Sequence, residues 1–340
     1  MTKLVVQRCG PLTSIQDRGR TGWLRFGIPA AGAADPLAHA VANALVGNPL
    51  DTACIELVIG GGTFEVAGGA IRLALAGARM PLTVDGASIP DHTSFVLQPG
   101  STLEIGAART GVYAILAVEG GFDIDPELGS RSLYARAGIG GLAGAYLCAG
   151  NILPLVQTVA AARSEVCADP VPLAVSSPLR AVLGPQQNHV SHAALETFFS
   201  SDYAVTSEVD RMGCRLCGPH IDHVAGFNIV SDGIANGSIQ IPGSGQPIIM
   251  LTDRQTMGGY PKIATIITPD VRLLLQRRPG ECVRFQTVTV EHAHEIARET
   301  AACTRRLLQS VRGNTAKTVR SEQLMEYNLA GDAVSALDLA

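Results

Sequence analysis

GSIQIPGSGQPIIMLTDRQTMGGYPKI, residues Gly237 to Ile263, decides how this chain is read. Five glycines and three prolines cut it into runs too short for helices, and such residues punctuate turns. Between them stand Gln240, Asp253, Arg254, Gln255, Tyr260 and Lys262, a dense set of polar and charged side chains. Loops carried on a rigid scaffold are where chemistry concentrates. The lysine adds weight, because only Lys3, Lys262 and Lys317 are lysines among 26 Lys plus Arg. An ammonium is compact and responds to burial in a way guanidinium does not.

The same punctuation runs outward through the chain. Leu82–Val84 and Ala87–Ile89 flank Asp85-Gly86, a hairpin signal. Phe64–Val66 and Ile71–Leu73 flank Gly68-Gly69 and are expected to form a second hairpin. Val112–Val118 reads as a buried strand ending at Gly120-Gly121. Val271–Leu275 and Cys282–Val290, around Pro279-Gly280, read as a further strand pair. Helices are few. Asp35 caps one, with Pro36 in its first turn, an apolar stripe at Leu37, Val41, Ala44 and Leu45, and Gly47 as its stop. Ser191–Phe199 and His292–Val311 are the others expected.

The fold class is therefore mainly β, with strand-rich halves on either side of an Ala-, Ser- and Pro-rich stretch. Residues 1–160 form the first half, 161–178 a linker, 179–290 the second half, and 291–340 a helix and polar tail. A length of 340 residues and 46% hydrophobic content suit such a globular chain. The net charge of −4 gives no electrostatic reason to bind nucleic acid or an anionic membrane. There is no run of 18 apolar residues and no apolar region in Met1–Gly10, so neither a membrane span nor a signal peptide is expected. Eight scattered cysteines without secretory features suit free thiols in a reducing cytoplasm.

Three Asp-Arg pairs occur, at Asp17-Arg18, Asp210-Arg211 and Asp253-Arg254, where composition predicts about one. In a turn both side chains can reach one site, the carboxylate orienting a base or an amide while the guanidinium holds an anion. A turn cap with a surface arginine is the plainer reading, favoured for Asp17-Arg18. Cys214, Cys217, His220 and His223 have zinc-binding side chains. Only two residues separate the two pairs, however, where a zinc site needs a longer return, so no metal is expected. Gly313–Thr318 lacks the glycine before Lys317 that a phosphate loop needs, and Gly138-x-Gly140 lacks a dinucleotide-binding context. Gly243-Ser244-Gly245 fails the spacing of a nucleophile elbow, and no lysine sits in a biotin-attachment sequence.

Taken together, Ser14–Asn48 (SIQDRGRTGWLRFGIPAAGAADPLAHAVANALVGN), Glu56–Val66 (ELVIGGGTFEV), Leu116–Asp123 (LAVEGGFD), Gly129–Gly141 (GSRSLYARAGIGG), Asp210–Pro219 (DRMGCRLCGP) and the opening stretch resemble the allophanate hydrolase subunit 2 family, also called the biotin-dependent carboxyltransferase family. The resemblance covers nearly the whole chain in order. It implies two cyclophilin-like β-barrel halves with a few short helices. Among the family's activities it is closest to ATP-dependent 5-oxoprolinase, a complex of three proteins that opens 5-oxoproline to L-glutamate.

That likeness implies a component inactive alone. Its partners would be an A-type protein and a B-type, kinase-inhibitor-like protein, with ATP bound by the assembled complex. By position it implies Asp253, Arg254, Lys262 and Tyr260 as catalytic, and Gln240, Gln255, Arg131, Asp210 and Arg211 as substrate-binding. Arg254 or Lys262 would hold anionic oxygens, Asp253 would orient or act as base, and Tyr260 would donate. Two other family roles stay open. One is the carboxyltransferase part of a urea carboxylase, with biotin brought by another protein; the other is a binding protein that antagonises a kinase inhibitor. Met257 departs from the family's usual threonine.

Overall fold

A computed structural model describes residues 2–173 and 178–313. Among them the architecture is mainly β, in two barrel-like halves, with four α-helices. In the first half, a six-stranded sheet runs in the order Ile152–Pro154, Lys3–Cys9, Gly62–Ala67, Thr102–Ile105, Leu82–Val84 and Ala87–Ser88. A five-stranded sheet faces it, in the order Ser14–Gln16, Cys54–Val58, Thr110–Val118, Ile71–Arg79 and Ser94–Leu97. Leu4, Val6, Phe64, Leu73, Leu103 and Leu116 fill the space between. The outer face of the five-stranded sheet is covered by α1 (Pro36–Val46), whose Val41 and Leu45 meet Ala74, Ile115 and Ala117.

The second half is one eight-stranded, nearly closed sheet. Its order is Cys282–Val283, Tyr203–Val209, Gly213–Cys217, Ile248–Met250, Ser238–Gln240, Lys262–Ile266, Leu179–Leu183 and Phe285–Thr287. Alternation along these strands sends Val205, Leu216, Ile239, Ile249 and Phe285 into its core. The remaining helices are α2 (His192–Ser200), α3 (Thr268–Leu275) and α4 (Val290–Gln309). None of the described helices is long and apolar enough to cross a membrane.

Local chemistry explains the elements the sequence announced. Asp35 accepts from the amides of Leu37 and Ala38, and Gly47 ends α1 in the left-handed conformation. Ser191 and Thr289 cap α2 and α4 in the same manner. Thr83–Ser88 is a two-residue hairpin with Asp85 and Gly86 both at positive φ.

Two expectations are corrected. Val271–Leu275 is helical, not a strand, because Pro269 and Asp270 begin a first turn and Val271, Leu274 and Leu275 form one buried stripe. The short strands Cys282–Val283 and Phe285–Thr287 follow, and helix α4 takes over at Val290. The strands flanking Gly68-Gly69 do not pair with each other. Phe64 sits opposite Leu103, while Leu73 sits opposite Phe95, in the other sheet. Gly69 serves close approach: a Cβ there would collide with Thr158 O, and its amide donates to Thr2 Oγ1 at 2.9 Å. The polar tail and the segment containing Lys317 lie outside the described residues, apart from α4 and the strand Arg312–Gly313, which pairs with Val166–Cys167.

The halves meet through α3. Gln276, just past its end, accepts from the amides of Val112 and Tyr113 at 2.7 and 3.0 Å. Its amide nitrogen donates to Tyr113 O and to Asp35, both at 2.9 Å. Arg272 adds a bidentate pair to the same Asp35 carboxylate at 2.7 and 2.8 Å.

Candidate functional site

The opening stretch supplies three adjacent inner strands of the eight-stranded sheet. Ser238–Gln240 lies between Ile248–Met250 and Lys262–Ile266, with a register shift that sets Gln240 opposite Lys262. Such bulges re-aim side chains near binding sites. Met257–Gly258 leaves the sheet and pairs with Asp232–Gly233 as a small ribbon, Asp232 opposite Gly258.

Beside these strands is an open cleft of about 470 Å³. Met212, Ile248 and Met250 supply apolar lining, and Asp210, Arg215, Gln240, Gln255 and Tyr260 supply polar groups. Four sequence-derived candidates therefore share one cavity: Gln240, Gln255, Tyr260 and Asp210. Gln240 is buried, and its Nε2 has no hydrogen-bond partner. An unpaired buried amide is costly unless a ligand completes it. A Cβ on Gly258 would lie 2.9 Å from Gln240 Nε2, 3.3 Å from Gln255 Nε2 and 2.6 Å from Ile234 Cδ1. Glycine at that position keeps the space between the two amides open. Tyr260 is exposed at the rim.

Two buried cations, Arg254 and Lys262, come from the same stretch but do not line the cleft. Arg254 is buried and donates from Nε to Ile234 O at 2.9 Å. Burial pulls its pKa down, and among the described residues no carboxylate pairs with it. Lys262 is also buried, with Nζ donating to Asp232 Oδ2 at 2.8 Å. Asp232 itself is exposed, and its carboxyl is held below the ordinary range by the hydrogen bond from Lys262.

The other candidates have structural partners. Asp210 caps a turn, accepting from the amides of Met212 and Gly213 at 2.8 and 3.1 Å. Arg211 is buried in an ion network that spans the halves. It donates to both oxygens of Asp253 at 2.9 and 3.0 Å, to Gly32 O at 2.6 Å, and to Glu56. Burial opposes the Arg211 charge, but Glu56 and Asp253 outweigh it and raise its pKa. For Glu56, burial raises the pKa and Arg211 pulls against that rise. Asp253 thus commits both oxygens to Arg211, and neither residue lines the cleft. Arg131 lies in the first half, with Nε donating to Ile124 O and its amide to Asp17 at 2.6 Å. It too is absent from the cleft lining.

Asp17 is a buried hub. Although burial raises its pKa, Ser130, Ser132 and the amides of Arg131 and Gly19 donate to it and lower the net value. The zinc-type side chains are separated by the strand that bears them. On Gly213–Cys217, Cys214 faces the core, where burial pushes its thiol up to about 12, and Cys217 faces solvent. His223 Nε2 donates to Ile241 O at 3.0 Å, and His220 faces Asp222 at 3.1 Å. Among the described residues no three His, Cys, Asp or Glu side chains converge as a metal site.

Sequence reasoning missed Glu56 and Arg20. Glu56 was visible only as part of ELVIGG, 155 positions from the arginine it binds. Arg20 is fully buried, donates from Nη2 to Ser132 O, and leaves Nε and Nη1 unpaired. Burial lowers its pKa, against the pull of Asp17, Asp253 and Glu127. The crowding of glycines around it was the available signal: a Cβ on Gly140 would come within 2.8 Å of Arg20 Nη2.

Comparison with known proteins agrees with this architecture. The family described as carboxyltransferase domain, subdomain A and B, matches residues 26–287. The C-type subunit of 5-oxoprolinase from Haemophilus influenzae is 34% identical over 286 residues, covering 84% of this chain and 91% of the relative. That of Escherichia coli is 34% identical over 293 residues, covering 85% and 93%. The crystal structure of the K. lactis urea amidolyase superposes with a TM-score of 0.81 at 24% identity. The match covers 90% of this chain and 20% of that much longer one, and it speaks to the fold.

Proposed function

The chain belongs to the carboxyltransferase family, subdomain A and B, and on that premise we propose that it is one component of a multi-protein ATP-dependent 5-oxoprolinase whose cleft beside Gln240 receives the cyclic amide. The observation that carries this reading is the unpartnered amide donor of buried Gln240, which lines one cavity together with Gln255 and Tyr260. 5-Oxoproline offers the complementary groups, a carboxylate and a ring carbonyl. Relatives named as 5-oxoprolinase subunits, matched over nine-tenths of their length, support the choice of substrate.

In this reading Gln240 Nε2 donates to the ring oxygen, and Gln255 fixes the amide edge. Arg254 and Lys262, buried outside the cleft lining, supply positive charge at longer range toward the carboxylate and toward the oxygen that gains charge as water adds to the ring carbon. Tyr260, at the rim, donates a proton to the departing nitrogen in this reading. Asp253 is a positioning residue that acts through Arg211, because both its oxygens are occupied. The ring carbonyl is a poor electrophile, and ATP supplies its activation in the assembled complex. The sequence has no phosphate loop, so ATP is assigned to the complex with the A-type and the kinase-inhibitor-like B-type proteins, in the cytoplasm.

The test is reconstitution. The purified chain alone is expected to release neither ADP nor glutamate, and the mixture with both partners is expected to release both in a 5-oxoproline-dependent manner. Turnover by the chain alone would refute the division of labour. The family's own description favours one rival, carboxyl transfer from biotin carried on another protein. Urea- and bicarbonate-dependent ATP use with a biotin carboxylase, and none with 5-oxoproline, would establish that rival instead.

A further inference from the structure

We propose that Arg215 binds the carboxylate of the ring substrate directly, and that Glu208 holds the same guanidinium until substrate displaces it. The inference rests on the functional reading above and names the specificity determinant of that site.

Strand register places the residue. Arg215, on Gly213–Cys217, stands opposite Ile248, and Ile248 stands opposite Gln240 on the next strand. Residues paired across strands share a face. Their neighbours Cys214, Leu216, Ile239 and Ile249 belong to the core. The row Arg215, Ile248, Gln240 therefore lies on the outer face of the sheet, where all three line the cleft. Two strand spacings separate the Cα atoms of Arg215 and Gln240, a span of about 10 Å. A small ring resting on Ile248 is reached from one end by the unpartnered Gln240 Nε2 and from the other by the long arginine side chain. 5-Oxoproline carries its carbonyl and its carboxylate on the two carbons that flank the ring nitrogen. One molecule thus presents an acceptor to each end of the row. The backbone beneath is held, because Thr206 Oγ1 donates to Arg215 O at 3.0 Å.

Charge narrows the choice. Among the described residues that line the cleft, Arg215 is the one cation, set against Glu208 and Asp210. Asp210 is engaged by the turn amides of Met212 and Gly213. Glu208 Oε2 accepts from Arg215 Nε at 2.8 Å, in a pair whose side chains are 72% and 51% exposed. An exposed pair of this kind contributes little to stability. A guanidinium has five donors and a fork that matches a carboxylate, so an incoming carboxylate replaces Glu208 with little loss. A neutral ligand carries no charge to draw the guanidinium away, and the pair thereby favours acids over their amides.

The test uses the assembled complex with ATP, 5-oxoproline as substrate and its neutral amide, 5-oxoprolinamide, as competitor. Arg215→Gln should raise KM for 5-oxoproline at least about tenfold, as loss of a hydrogen bond to a charged group does. The effect should fall on KM more than on kcat, because the carboxylate is bound alike in the ground and transition states. The preference for acid over amide should shrink by a similar factor. Glu208→Gln should lower KM, by up to about fivefold, because it removes the competing carboxylate. A merely structural ion pair predicts otherwise, since both variants lose the same contact and would shift KM and melting temperature in one direction. KM moving the same way in both variants, or a preference for acid over amide that survives Arg215→Gln, would overturn the inference, while wild-type turnover keeps the functional reading. No 5-oxoproline-dependent turnover by the wild-type complex would overturn both.

Discussion

Replacing Arg211 with methionine should be among the most damaging single changes in this protein, and its damage should grow with pH. The guanidinium is buried and is the shared partner of two carboxylates from opposite halves, Glu56 and Asp253. Methionine keeps much of the volume but removes the two bonds to Asp253, the bond to Glu56 and the bond to Gly32 O. Glu56, fully buried, would keep only the amide of Ala34, at 2.7 Å. Breaking a buried pair by deleting one partner costs about 3–5 kcal/mol, because the other charge is left uncompensated. The sign of the pH effect follows from Glu56. Burial already raises its folded-state pKa above 4.5, and losing Arg211 removes the main force lowering it. A raised folded pKa means stability that is present below the unfolded value and is lost as pH rises through the folded value. Urea unfolding of Arg211→Met should therefore show the full loss near pH 8 and a partial recovery toward pH 5. Adding Glu56→Gln and Asp253→Asn should restore stability at pH 8. A loss under about 1 kcal/mol at pH 8, or no dependence on pH, would refute the account of this network.

Three further outcomes are expected. Lys262→Met should lower turnover of the reconstituted complex by about a hundredfold, as loss of a transition-state donor does, while the melting temperature holds because the carboxylate it abandons, Asp232, is exposed; full activity would remove Lys262 from the site, and Lys262→Arg should be impaired as well. Gly258→Ala should raise KM more than it lowers kcat, since the new methyl fills the space between Gln240 and Gln255; an unchanged KM would show that the cleft is not where substrate sits. Asp17→Asn should destabilise by roughly 2–3 kcal/mol at pH 7, as an NH₂ group meets donors from Ser130, Ser132 and Arg131. The Asp17 carboxyl is lowered, so its contribution is present above 3.8 and is lost as pH falls through the folded value. The gap between variant and wild type in acid unfolding should close accordingly, and a constant gap would refute the role.

What was legible in the sequence was local. Asp35, Gly47 and Asp85-Gly86 announced their elements because capping and hairpin turns depend on a few adjacent residues. Gly68-Gly69 misled because glycine serves both turns and close approaches, and only the packing of Thr158 distinguishes them. Val271–Leu275 misled because a short apolar run fits strand and helix alike, and Pro269 was the clue to weigh. The Gly- and Pro-rich stretch brings Gln240, Gln255 and Tyr260 to one cleft. It could not reveal that Asp253 is committed to Arg211, or that Arg211 reaches Glu56 across the junction. Those contacts join positions far apart in the chain, and no spacing rule carries them.

The Gln276 side chain makes each half structurally dependent on the other. Its amide occupies two backbone N–H groups and one carbonyl at Val112 and Tyr113, and also helps hold the carboxylate that caps α1. No shorter or charged side chain can donate and accept at those four points together. Either half, duplicated or transplanted without the other, would carry an open polar edge at this spot. Separating the halves would therefore strip partners from Val112, Tyr113 and Asp35 at once.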